Sequence, residues 1–177
     1  MPETMAVGIE RLVQEIVNSG AAPDAAMREQ IAQELAKRFH VQPDEVAILA
    51  LVHNRQLLRF VLPEKLRPVG TIPLNSTSAL ATRTARDQRA EVLNNFPAVR
   101  HASVFEGVPL GREQGEMIQK IMSVPIILEK RVLGVVQVCR KGHTPGDAGP
   151  DFSTTDLKDL FSLSAPLAKF LLASQES

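Results

Sequence analysis

The stretch SVPIILEKRVLGVVQVCRK, residues 123–141, carries the strongest structural signal in the chain. Two runs rich in β-branched residues, Val124–Leu128 and Val132–Val138, flank the polar turn Glu129-Lys130-Arg131. Runs of that length and composition around a short turn predict an antiparallel hairpin. Downstream, GHTPGDAGPD at 142–151 is a loop rich in Gly, Pro and Asp, and Ser153 opens the sequence S-T-T-D. That sequence predicts an N-capped helix with Asp156 in its first turn. The last helix carries Leu157, Leu160, Phe161, Leu167, Ala168 and Leu171 on one side, with a kink expected at Pro166.

Upstream of the hairpin the period changes twice. Ile9, Leu12, Val13, Ile16 and Val17 recur at helical spacing up to Ser19-Gly20. Asp24 caps a second predicted helix with the stripe Met27, Ile31, Leu35 and Phe39, which Pro43 is expected to end. VAILALV at 46–52, the polar turn His53–Gln56 and LLRFVL closed by Pro63 predict a second hairpin. A third strand over Val69–Leu74 is confined to an edge or an end by Pro73. Asn75, Ser76, Thr77 and Ser78 offer caps for a helix reaching Asp87, and a short strand is expected at 91–94. Residues 95–118 read as a long connection broken by Pro and Gly, with a short helix near Glu113–Lys120.

The 177 residues are 44% hydrophobic and 23% charged, with 20 basic and 20 acidic side chains, enough chain for one domain with a real core. A net charge of zero lacks the global basic excess that sequence-independent nucleic-acid binding needs. The segment 28–52 superficially resembles a helix-turn-helix. Its would-be recognition helix, PDEVAILALV, offers two acids and an apolar run instead of base-reading side chains, so no nucleic-acid partner is expected. Cys139 is the single cysteine, which excludes an internal disulfide and a multi-cysteine zinc site and suits a reducing cytoplasm. The amino terminus lacks a signal-peptide pattern and no apolar run reaches 18 residues, so a cytoplasmic location and no membrane partner are expected. No P-loop, GxGxxG or GxSxG sequence occurs.

The order helix, hairpin, strand, helix, irregular connection, hairpin and terminal helix, together with VPIILEKRVLGVVQVCRKG…PDFSTTDLKDLFSLSAPLAKFL, resembles a GAF domain, a small-molecule sensory module. The resemblance covers residues 41–174 and leaves 1–40 as a helical extension. It implies an α+β, profilin-like fold: a central six-stranded antiparallel sheet with helices packed on it, preceded by the extension. Some GAF domains that bind cyclic nucleotides carry Asn-Lys…Phe-x-x-x-Asp-Glu, against Arg140, Lys141, Phe152, Asp156 and Leu157 here. Three of the five match, which implies a structural Lys141–Asp156 pair beside Phe152, and the two departures argue against a cyclic nucleotide. Free methionine sulfoxide reductases are GAF enzymes that use several cysteines, so one cysteine makes that enzyme the weakest reading.

The resemblance implies a pocket roofed by the 75–88 helix and the 95–118 connection, with Ser78, Arg83, Arg100, His101 and Ser103 as its candidate ligand contacts. Charge is uneven: −4 over residues 1–52, +7 over 53–141 and −3 over 142–177. Arg83, Arg86, Arg89, Arg100 and Arg112 would favour an anionic ligand if they pointed inward, and a solvated basic face is the plainer reading. His40, His53, His101 and His143 stand singly without ligand spacing, and no metal site is expected. Cys139 reads as a small buried side chain, since no neighbouring His would activate it. No catalytic residue and no cofactor are named by these patterns. The expectation is a non-catalytic domain that binds an unidentified small molecule and signals to a protein partner through its terminal helices, as a homodimer. The alternative is a ligand-free dimerisation module whose interior is filled by its own side chains.

Overall fold

The 123–141 stretch forms the central hairpin of the sheet, and in the computed structural model it is longer than its sequence signal. The structure describes residues 2–52, 56–69, 71–75, 80–95 and 117–174. In chain order these hold α1 (Pro2–Ser19), α2 (Ala25–Phe39), β1 (Val46–Val52), β2 (Leu57–Leu62), β3 (Thr71–Pro73), α3 (Leu80–Asp87), β4 (Glu91–Leu93), β5 (Met117–Leu128) and β6 (Arg131–Gly142). The one-turn α4 (Pro145–Ala148), then α5 (Thr154–Ser162) and α6 (Ser164–Ser174), complete the described residues. The six strands form one antiparallel sheet in the order β3-β2-β1-β6-β5-β4. The expected α+β architecture and its six-stranded sheet are what the structure holds.

Because successive strand residues point to opposite faces, the sheet has two cores. Val46, Ile48, Met122, Val124, Ile126, Val136 and Val138 face the helical layer, where they meet Ile9, Val13 and Ile16 of α1, Ile31 and Leu35 of α2, and Leu160, Leu167 and Phe170 of α5 and α6. Ala47, Leu49, Leu58, Phe60, Ile121, Val135 and Cys139 face the other way and pack with Leu80, Ala81 and Ala85 of α3. The first two helices therefore share the sheet's own core. Arg38 of α2 forks onto Asp159 of α5, and Arg28 reaches Glu64 beside β2.

Several boundaries differ from the sequence reading. The helix expected near Glu113–Lys120 is strand from Met117 onward, because Ile118 and Lys120 pair with Lys141 and Arg140 and extend the hairpin's ladder. The irregular register between Ile118 and Lys120 hides the alternation that would have signalled a strand. The turn of the hairpin is Glu129-Lys130 alone, both residues in the left-handed region at φ 52° and 67°, so Arg131 already belongs to β6. Helix α2 ends at His40, not at Pro43: His40 takes φ 57° and the Val41 N–H returns to the Ala36 carbonyl. The terminal helix breaks at Leu163, three residues before Pro166. The proline lacks an N–H and its ring crowds the carbonyl of Ser162, so the break falls a turn upstream.

Gly134 is the tightest point between the layers. A β-carbon there would lie 2.1 Å from the Leu49 carbonyl oxygen on β1 and 2.7 Å from a methyl of Leu171 on α6. Gly134→Ala should lower stability by about 1–3 kcal/mol, the usual cost of overpacking, measured by denaturant unfolding. An unchanged midpoint would show that β1 and α6 do not close over this residue.

Candidate functional site

Among the described residues, three fully buried polar side chains meet on the α3 face of the sheet. Thr84 on α3, Ser123 on β5 and Gln137 on β6 are each fully buried. Ser123 and Gln137 are register partners across the hairpin, and α3 crosses over them. The Thr84 hydroxyl donates to the Leu80 carbonyl at 3.0 Å and meets the Ser123 hydroxyl at 2.6 Å. Gln137 Nε2 donates to Ser123 Oγ at 3.1 Å.

Each hydroxyl has one proton, and that fixes the direction of the chain. Thr84 spends its proton on Leu80, so it accepts from Ser123. Ser123 thereby spends its own, so it accepts from Gln137 and selects the amide's NH₂ end. Gln137 Oε1 is turned away from Ser123 and has no hydrogen-bond partner among the described residues. The β1 residue opposite Gln137 is Ala47, whose methyl offers no donor. A buried acceptor left unmet costs about 1–3 kcal/mol, so this oxygen calls for a donor from outside the described residues.

An ion pair stands beside the chain. Arg83, next to Thr84, forks onto Glu91 of β4 at 3.0 and 2.9 Å, and Glu91 is the register partner of Ser123. Arg83 thus comes close to the buried cluster with its charge already matched by a carboxylate. Among the other arginines, Arg89 is exposed, while Arg86 borders an open cleft of about 520 Å³ with Gln56, Leu57, Pro73, Leu74 and Asn75. Ser78, Arg100, His101, Ser103 and Arg112 lie outside the described residues, as does His53. His40 serves as the cap of α2, and His143 is exposed.

At the end of β6, Phe152 and Asp156 lie near Arg140, whereas Lys141, the next residue along the strand, turns to the opposite face with its register partner Ile118. The Lys141 backbone N–H donates to Glu45 Oε2 at 2.6 Å, and the residue is buried. Arg140 donates to the carbonyls of Phe39, at 2.9 Å, and Pro150, and its guanidinium lies 4.3 Å above the Phe152 ring. Burial lowers the guanidinium pKa, and the charges of Asp156 and Glu45 oppose that shift. Asp156 closes the expected capping box: it accepts from the Ser153 N–H at 2.8 Å, and Ser153 Oγ accepts from the Asp156 N–H at 3.0 Å. The sequence reading overlooked Asn94, whose amide exchanges both hydrogen bonds with the Phe152 backbone, at 2.9 and 3.0 Å. It also passed over Ser123 and Gln137, although a polar pair facing one another inside two apolar runs was there to be found.

Among the described residues no three His, Cys, Asp or Glu side chains gather to hold a metal, and Cys139 is buried. No helix among them is long and apolar enough to cross a membrane. A single six-stranded sheet carries a layer of four helices on one face and a short helix over a buried polar cluster on the other. No protein-family model matches the sequence, and no curated protein matches it. Solved structures do. The GAF domain of an Acinetobacter phosphoenolpyruvate-protein phosphotransferase is similar at TM-score 0.66 and 17% identity, over 96% of this chain and 93% of that one. The corresponding GAF domain from Coxiella burnetii gives 0.62 and 14%, over 94% of each chain. Free methionine-R-sulfoxide reductase of Neisseria meningitidis, solved in complex with its substrate, gives 0.60 and 16%, over 94% and 87%. The chain has the GAF fold.

The Arg140 contacts generate a test. Arg140→Met keeps the packing volume but leaves the carbonyls of Phe39 and Pro150 without their donor. It should lower stability by about 1–3 kcal/mol, chiefly through the buried Phe39 carbonyl, read by urea unfolding. A loss below about 0.5 kcal/mol, the scale of an ordinary surface substitution, would show that the guanidinium does not hold the loop.

Proposed function

We propose that this chain is a non-catalytic sensory or regulatory domain whose α3 face binds a small molecule. The observation that carries the reading is Gln137 Oε1, a buried acceptor with no partner among the described residues, held in place by a hydrogen-bond chain of fixed direction. The ligand this site suits is an uncharged molecule with an N–H or O–H donor for Gln137 and an apolar body for Leu49, Phe60, Ile121 and Val135. Arg83 is engaged by Glu91, which weakens the case for an anionic ligand. The Neisseria relative in complex with its substrate supports the idea that this fold encloses small molecules.

The reading extends to signal output through the terminal helices of a homodimer. Val17 on α1, Phe161 on α5 and Leu172 on α6 are exposed apolar side chains of the helical layer and suit a partner surface. Non-catalytic action is part of the proposal. Two neighbours with this fold are methionine sulfoxide reductases, and the buried position of the single cysteine favours the regulatory reading here.

Native mass spectrometry of the protein isolated from its own host tests this directly. The expected result is a dimer carrying one small molecule per chain, with affinity for that molecule falling about tenfold in Gln137→Leu, as the loss of one well-made buried hydrogen bond implies. A dimer that carries no small molecule would reject the sensor and support the ligand-free dimerisation module.

A further inference from the structure

The candidate ligand face and the terminal helices are joined by a short set of contacts that crosses the edge of the sheet. Thr84 belongs to the buried polar chain, and its neighbour Arg83 forks onto Glu91 at the start of β4. β4 is only three residues long, paired to β5 through Glu91–Ser123, Val92–Met122 and Leu93–Ile121. Immediately after it, Asn94 clamps Phe152 from both sides: Nδ2 donates to the Phe152 carbonyl at 3.0 Å, and Oδ1 accepts the Phe152 N–H at 2.9 Å. Phe152 directly precedes Ser153, the cap from which α5 starts.

The segment before α5 is otherwise held from the sheet by cations acting on carbonyls. Lys120 of β5 donates to the Gly149 carbonyl at 2.6 Å and pairs with Asp151 at 2.8 Å, and Arg140 of β6 donates to the Pro150 carbonyl. Those bonds come from the long β5–β6 hairpin, whose two strands pair with each other from end to end. The Asn94 clamp differs in coming from a three-residue edge strand, and α3 grips the same strand through Arg83. A displacement of α3 therefore has a hydrogen-bonded route along the sheet's edge to the first turn of α5, through four residues that each use two bonds or a forked pair.

We propose that Arg83, Glu91, Asn94 and Phe152 form a strut that transmits movement of α3 to the start of α5. Its regulatory use rests on the binding reading above, but the mechanical coupling exists with or without a ligand. The strut makes β4 a lever: short pairing keeps it light, and a bidentate contact at each end keeps it taut. Such coupling is shown by energetic non-additivity between distant contacts, not by proximity.

Hydrogen exchange of the full chain without added ligand tests it, read at the Asp156 and Leu157 amides, which are bound to Ser153. Asn94→Ala should speed their exchange about fivefold, the scale of one lost hydrogen bond. Glu91→Gln, which unties the far end, should speed the same amides to a similar degree, and the double variant should add little to either. If Glu91→Gln loosens α3 and β4 while Asp156 and Leu157 exchange as in the parent, or if the two effects multiply as independent ones, the strut is overturned. Should Asn94→Ala fail to fold, Asn94→Asp removes only the donated bond and serves the same cycle. Because no ligand enters, failure here leaves the mass-spectrometric test of binding standing, and failure there leaves this one standing.

Discussion

β6 is paired to β5 along its length and to β1 over Gly134–Val138, and its apolar side chains alternate to both faces of the sheet, so neither face can be left to water. That constraint shapes the molecule. Val136 and Val138 have to be covered by the helical layer, and Val135 and Cys139 by α3. Gly134 sets how closely β1 and α6 approach. On the helical side the covering is complete and apolar, reaching as far as the amino-terminal helix. On the other side Gln137 interrupts it, and everything unusual about that face follows from how the amide is met.

The two ends of β6 divide the work. In its middle, Gln137 closes a directed chain through Ser123 and Thr84 whose last acceptor lies on α3. At its carboxyl end, Arg140 gathers the end of α2, the loop after α4 and the Phe152 ring into one cluster. Removing the guanidinium would leave the buried Phe39 carbonyl unmet, so the cluster is a fixed point against which other parts can move. The contacts through β4 connect the two regions by a second route, along the sheet's edge.

Much of the architecture was legible from local patterns. The hairpin at 123–141, the Asp24 cap, the Ser153–Asp156 box and the confinement of Pro73 to an edge strand all depend on neighbours in sequence, and all are present. The misreadings have the same physical origin. The start of β5 was read as helix because a register irregularity breaks its alternation, and its true partner, the end of β6, lies some twenty residues away. Pro166 announced a break but not its place, since the clash falls on the carbonyl four residues earlier. The site was less legible. Phe152 and Asp156 lie near Arg140, which the sequence offered only as a departure from a motif, while Lys141 turns to the other face of the sheet. Asn94 looked like an ordinary turn residue, and its bond to Phe152 spans 58 positions. Ser123 and Gln137 were visible as polar interruptions, but their joint burial beneath Thr84 depends on where α3 lands.

The central claim is that Gln137 Oε1 is a ligand contact and not an oxygen met by solvent or by the chain itself. A high-resolution crystal structure of the protein as isolated from its own host, read at that atom, tests it most directly. The account predicts density for a small molecule on the α3 face with a donor about 2.8–3.0 Å from Oε1. A lone ordered water at that position, with the surrounding side chains packed against one another, would contradict it.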